Sequence, residues 1–218
     1  MKSVIEYLTE RALSTKAIEL FDNVELMKAV MGANAEEVEK QLKERPNSNL
    51  EMRDANGRTL LYLATLNSEV VEILLKHGAK TEDNDNKYKQ TPLVHSAYYG
   101  RDKCVIALLK YGANPDAKYW DRSNSDDVGC TALHFYASRG NIAMVKLLLS
   151  KGANVNALSD YGSTPLMMSV SGNRVHKAVA KFLLQQGADK NIKDMANISV
   201  YDYAKVKSKD EAFLNLLS

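Results

Sequence analysis

Four apolar helical stretches of this chain each run into the dipeptide Gly-Ala, at Gly78-Ala79, Gly112-Ala113, Gly152-Ala153 and Gly187-Ala188, with separations of 34, 40 and 35 residues. No other feature constrains the fold as strongly, because self-similarity at such a period belongs to arrays of short stacked units. The stretches are Val71 to Leu75, Val105 to Leu109, Val145 to Leu149 and Val179 to Leu184. A glycine directly behind them suits a helix end, where the chain turns left-handed. A second landmark stands ahead of each: Thr59-Leu60-Leu61-Tyr62, Thr91-Pro92-Leu93-Val94, Thr131-Ala132-Leu133-His134 and Thr164-Pro165-Leu166-Met167. Threonine can cap the free N–H groups that open a helix, and proline fits its first turn. The two landmarks together predict a repeated helix–turn–helix unit that begins at the Thr and ends at the Gly.

The Thr landmark resembles the ankyrin pattern T-P-L-H-x-A, which repeats about every 33 residues. The fullest copy reads Gly129-Cys130-Thr131-Ala132-Leu133-His134-Phe135-Tyr136-Ala137, and the next supplies Asp160-Tyr161-Gly162-Ser163-Thr164-Pro165-Leu166. The resemblance implies an all-α ankyrin-repeat solenoid with projecting β-hairpin fingers. In such a unit Ala64, Ala97 and Ala137 keep paired helices close, and Gly57, Gly129 and Gly162 sit in the tight turn of the finger. His134 takes the position whose ring bonds that turn. Degenerate units flank the four, at Glu25 to Leu42 and at Ser199 to Leu217, as end units with one wet face require. The count is then about six repeats over 22–218, at 22–52, 53–84, 85–120, 121–157, 158–192 and 193–218. Residues 1–21 form an N-terminal helical extension, with Ser3 and Glu6 as a capping box.

The period breaks in three places. From Gly112 to Thr131 the chain takes 19 residues where Gly152 to Thr164 takes 12, so about seven are inserted in one finger, around the lone Trp120. Thr59 to Gly78 spans 19 residues against 21 in the next two units, a loss of two near Asn67-Ser68. Thr164 to Gly187 spans 23, a gain of two near Asn173 to His176. Loop changes of this size cost little stability.

The resemblance also implies where a partner binds: on finger tips and on the exposed side of the inner helices. Carried over residue by residue, those positions are Arg53, Asn56 and Arg58, then Lys87, Tyr88, Tyr98 and Tyr99. The inserted finger adds Tyr119, Trp120 and Arg122, and later units add Arg139, Asp160 and Tyr161. Leu66, Asn67, Lys193 and Met195 occupy equivalent places. Tyr, Trp and Arg are the side chains that most often anchor interfaces. The competing expectation for Tyr98, Tyr99, Tyr119 and Trp120 is packing on one another or on a neighbouring unit.

Signals for other chemistry are weak. A formal net charge of +2 argues against a dedicated nucleic-acid binder. Two cysteines, Cys104 and Cys130, make no disulfide framework and point to a reducing compartment. In Met1-Lys2-Ser3-Val4-Ile5-Glu6 a charge interrupts the apolar run almost at once, which argues against a secretory signal, and no apolar run reaches membrane-spanning length. Cys130 and His134 lie four apart and resemble a thiol–imidazole pair, but His134 has its structural position to fill. No histidine comes with partners at metal-ligand spacing. No P-loop, dinucleotide fingerprint or nucleophile elbow occurs.

The sequence therefore predicts a non-catalytic, cofactor-free protein–protein interaction module: an adaptor, scaffold or inhibitor. The expected molecule is a cytoplasmic monomer that binds another protein, not nucleic acid, and does not insert in membranes. Two alternatives share the same physics: a targeting module of a larger enzyme, or a microbial effector acting in a host cytosol.

Overall fold

In the computed structural model, residues 24–82, 90–120 and 127–218 are described. The proposed extension at 1–21 and the residues Lys87, Tyr88 and Arg122 lie outside them. The described chain contains twelve α-helices and no strand, with three isolated antiparallel bridges at Arg53–Thr59, Lys118–Thr131 and Lys193–Ser199. Each bridge ends on the landmark Thr or Ser immediately before an inner helix.

The chain divides into two compact units, residues 1–114 and 115–218. The first contains α1 (Val24–Met31), α2 (Ala35–Glu44), α3 (Leu60–Leu63), α4 (Ser68–Lys76), α5 (Pro92–Tyr98) and α6 (Asp102–Lys110). Successive helices pair, α1 with α2, α3 with α4 and α5 with α6, and the outer helices stack α2 on α4 on α6. The second contains α7 (Ala132–Arg139), α8 (Ile142–Ser150), α9 (Pro165–Ser171), α10 (Lys177–Gln185), α11 (Val200–Lys207) and α12 (Glu211–Leu217). Here too each pair packs internally, and the inner helices stack α7 on α9 on α11.

Local chemistry sets these boundaries. Thr59, Thr91 and Thr164 each accept a hydrogen bond from the backbone N–H three residues on, and Pro92 and Pro165 open their helices. Ser199 and Asp202 form a reciprocal capping box on α11. Gly112 ends α6 at φ +84°, the left-handed conformation that L side chains disfavour. The core is the apolar stripe of each helix: Leu60, Leu74, Leu93, Leu108, Leu133, Leu148, Leu166 and Leu183 are all fully buried. Ala97 and Ala137 are buried to the last atom where the paired helices approach.

Where the spacing loses two residues, the inner helix is cut short. α3 is four residues long and passes into a 3-10 turn over Ala64–Leu66, where α5 runs seven. Asn67 then starts α4 at once, its Oδ1 accepting from Glu69 and Val70 N–H. The two extra residues near Asn173 lengthen the link from α9 to α10 instead.

Candidate functional site

In the first unit the described candidate residues fall on one loop and at one helix end. In the loop before α3, the buried Asp54 carboxylate accepts from Asn56 N, Arg58 N and Arg58 Nε at 2.9, 2.9 and 2.7 Å. Arg58 Nη2 closes the ion pair at 2.6 Å, and Arg53 donates to the Gly57 carbonyl at 2.7 Å. Arg53, Asn56 and Arg58 thus share a single rigid turn built around Asp54.

At the end of α5, Tyr99 is 58% exposed and Tyr98 is half-buried. Their rings meet edge-on at 5.0 Å. Tyr99 in turn lies 4.9 Å from the His95 ring, which stacks 4.5 Å from Tyr62. Thr65 Oγ1 donates to the Tyr62 carbonyl at 2.7 Å and sits 3.0 Å from His95 Nδ1. Its one proton is used on the carbonyl, so Nδ1–H of His95 donates to it. Burial pushes His95 down to about 4, and the nearby Arg101 and Arg58 charges add to that. His95 is therefore a neutral ring that supports Tyr99.

The second unit carries the remaining candidates on its loops. Trp120 is 39% exposed and Tyr161 45%. Arg139 is exposed at the end of α7, its guanidinium 5.8 Å from the Phe135 ring. Asp160 N–H donates to the Val128 carbonyl at 3.0 Å, and Met195 N–H to the Tyr161 carbonyl at 2.9 Å. Successive loops of this unit are thus linked by single backbone bonds. Tyr119 departs from the expectation of an exposed contact, being 2% exposed. It packs edge-on against Phe135 at 5.6 Å, and its backbone exchanges bonds with Cys130 and Gly129 at 2.8 and 2.7 Å. Tyr119 is therefore rooted in the core, while its neighbour Trp120 reaches the surface.

The imidazole and thiol groups of these repeats are engaged in structural contacts. His134 is fully buried and receives the Thr131 N–H on Nδ1 at 3.1 Å, while Nε2 lies 2.9 Å from the Ser163 carbonyl. Burial pushes it down to about 4. Cys130 is buried and its thiol is pushed up to about 12, first by burial and then by Asp127 and Asp160. Burial likewise raises Cys104, whose Sγ meets the Thr65 carbonyl at 3.4 Å. Neither thiol is a thiolate at neutral pH. Among the described residues no group of three His, Cys, Asp or Glu side chains could hold a metal ion. No helix of the described residues is long and apolar enough to cross a membrane.

Sequence reasoning missed Arg101, which directly follows the helix-ending Gly100 and whose guanidinium lies 5.5 Å from the Tyr99 ring. It also missed the exposure of Leu158 and Ile106. Arg101 was findable from its place in the repeat, three residues after Tyr98.

The geometry agrees with the family comparison. The profile of ankyrin repeats (three copies) matches residues 26–119 and 120–194, and the chain belongs to the ankyrin-repeat family. It is 33% identical over 124 residues to the B-cell lymphoma 3 protein homolog of Mus musculus, covering 56% of this chain and 26% of that protein. It is also 33% identical over 134 residues to the E3 ubiquitin-protein ligase KEG of Arabidopsis thaliana, covering 61% of this chain and 7% of that one. The match thus spans about a quarter or less of these relatives. The crystal structure of an ankyrin repeat domain from Acinetobacter baumannii AYE superposes with a TM-score of 0.76 at 24% identity, over 88% of this chain and 96% of that one. That likeness shows the shared fold. Ankyrin repeats are protein-interaction modules, and the fold is generally non-catalytic.

Proposed function

We propose that this chain is a non-catalytic adaptor, scaffold or inhibitor that binds a partner protein through the concave face of its inner helices and its finger loops. The observation that carries the reading is the exposure of large aromatic rings on rigid supports. Tyr99 stands on His95 and Tyr98, and Trp120 stands beside the anchored Tyr119. Rings held in this way lose little side-chain freedom on binding and remove much apolar surface from water. Arg53, Arg58, Arg139, Asp160 and Tyr161 supply the polar surround. Repeat boundaries at 22–52, 53–84, 85–120, 121–157, 158–192 and 193–218 go with this reading, as do a monomeric state and a cytoplasmic location.

The test is alanine replacement. Trp120→Ala and Tyr99→Ala should each retain the melting transition yet weaken the partner complex by about 2 kcal/mol or more if the residue is an anchor. Unchanged affinity in both variants removes this surface from the account.

A second reading, a targeting module within a larger protein, draws on the share of its relatives that the chain matches: 26% and 7% of the two named above. Finding the repeats fused to a catalytic domain in the same reading frame would favour it.

A further inference from the structure

From α3 across the end of α5 in the first unit, three aromatic rings run in series toward a guanidinium. Tyr62, His95 and Tyr99 follow one another at centroid distances of 4.5 and 4.9 Å, and the Arg101 guanidinium caps the series 5.5 Å from the Tyr99 ring. Leu66, next in the chain to the Thr65 that holds His95, leaves 66% of its surface exposed. Arg101 donates through Nη1 to the Thr65 carbonyl at 3.1 Å. Among the described residues the part-buried Arg101 enters no ion pair, and a carbonyl and a ring are its neighbours. Arg58 brings a second guanidinium close enough to act on His95, although Asp54 already pairs with it. Both arginines add to the depression of His95 that burial begins.

We propose that this patch binds an acidic segment of a partner protein, with a carboxylate on Arg101 and an apolar side chain laid against Tyr99 and Leu66. The inference rests on the partner-binding reading above and narrows it to one class of partner. The physical case is complementarity. A guanidinium that stands beside a ring and spends Nη1 on one carbonyl keeps the rest of its N–H fork for a carboxylate, which can match such a fork with two parallel bonds. The exposed ring and the leucine favour an aliphatic or aromatic neighbour of the carboxylate. Nucleic acid fits less well, because its affinity comes from many phosphate contacts and this chain has a net charge of only +2.

The experiment uses the full chain and three fluorescein-labelled peptides that alternate leucine with glutamate, lysine or serine, read by fluorescence polarisation. The glutamate peptide should bind at least about tenfold more tightly than either of the others, roughly the worth of one charge-assisted pair. Tyr99→Ala and Arg101→Gln should each remove most of that preference, with Arg101→Lys between Gln and wild type. Because Arg101 also bonds the Thr65 carbonyl, melting curves accompany its variants, and Tyr99→Ala tests the site without touching that bond. Equal binding of the three peptides, no binding of the glutamate peptide at about 1 mM, or wild-type affinity in Tyr99→Ala would overturn the proposal. The two levels separate cleanly. If Tyr99→Ala weakens the native complex while the peptides show no acidic preference, the partner class is wrong and the binding surface stands. If the native complex is also indifferent to Tyr99→Ala, this surface falls with it.

Discussion

His134 shows how a single side chain can fix a turn and carry no chemistry. With Thr131 N–H on Nδ1, the ring proton must sit on Nε2 and point at the Ser163 carbonyl. His134→Ala would orphan the Thr131 N–H inside the core, leave the Ser163 carbonyl with the Ser159 N–H alone and open a cavity there. We expect it to cost about 3 kcal/mol in chemical denaturation. A loss under about 1 kcal/mol would mean the bonds are not formed. The pH dependence follows from the same burial. His134 and His95 both fall from 6.5 to about 4 on folding. Between those values the unfolded chain binds protons that the folded chain does not, so stability is fully present above 6.5 and is lost as the pH falls toward 4. Urea midpoints should therefore be flat from pH 8 to 7 and decline from about 6.5 downward. A flat profile to pH 5 would contradict the neutral, buried state of both rings.

At the scale of elements, the two glycine settings separate backbone strain from crowding. A Cβ on Gly112 meets no atom within 4 Å, so Gly112→Ala carries only the penalty of its φ of +84°, about 1 kcal/mol. A Cβ on Gly129 falls 2.4 Å from the Asp160 backbone N, which cannot swing aside, so Gly129→Ala must displace the neighbouring loop. It should lower the melting temperature clearly more than Gly112→Ala. Equal shifts would mean that the loop contact between Val128 and Asp160 contributes nothing.

The helices themselves were legible because their cause is local: the Thr caps, the Pro92 and Pro165 starts and the terminal glycines lie within one turn of the boundary they set. The loss of two residues near Asn67 was legible as a number, yet not as the 3-10 turn that absorbs it. Tyr119 was misread for a related reason. It belongs to an insertion with no counterpart in the other units, and its burial depends on Phe135, sixteen places along the chain, which spacing alone does not bring near. The site was legible as a set of positions. The arrangement of His95, Tyr99 and Arg101 was not, because ring stacking depends on side-chain rotamers.

For the molecule as a whole, membership of the ankyrin-repeat family shows the scaffold, and the departures from the repeat give this chain its own surface. Exposed rings occur in both units, Tyr99 in the first and Trp120 and Tyr161 in the second, each described within its own unit. The most direct measurement is calorimetric titration of the native partner, once identified, into wild type, Tyr99→Ala and Trp120→Ala, with melting curves in parallel. The account predicts affinity lower by about thirtyfold or more in at least one variant, the equivalent of about 2 kcal/mol, with the melting transition kept. Affinities within about twofold of wild type in both variants would contradict it.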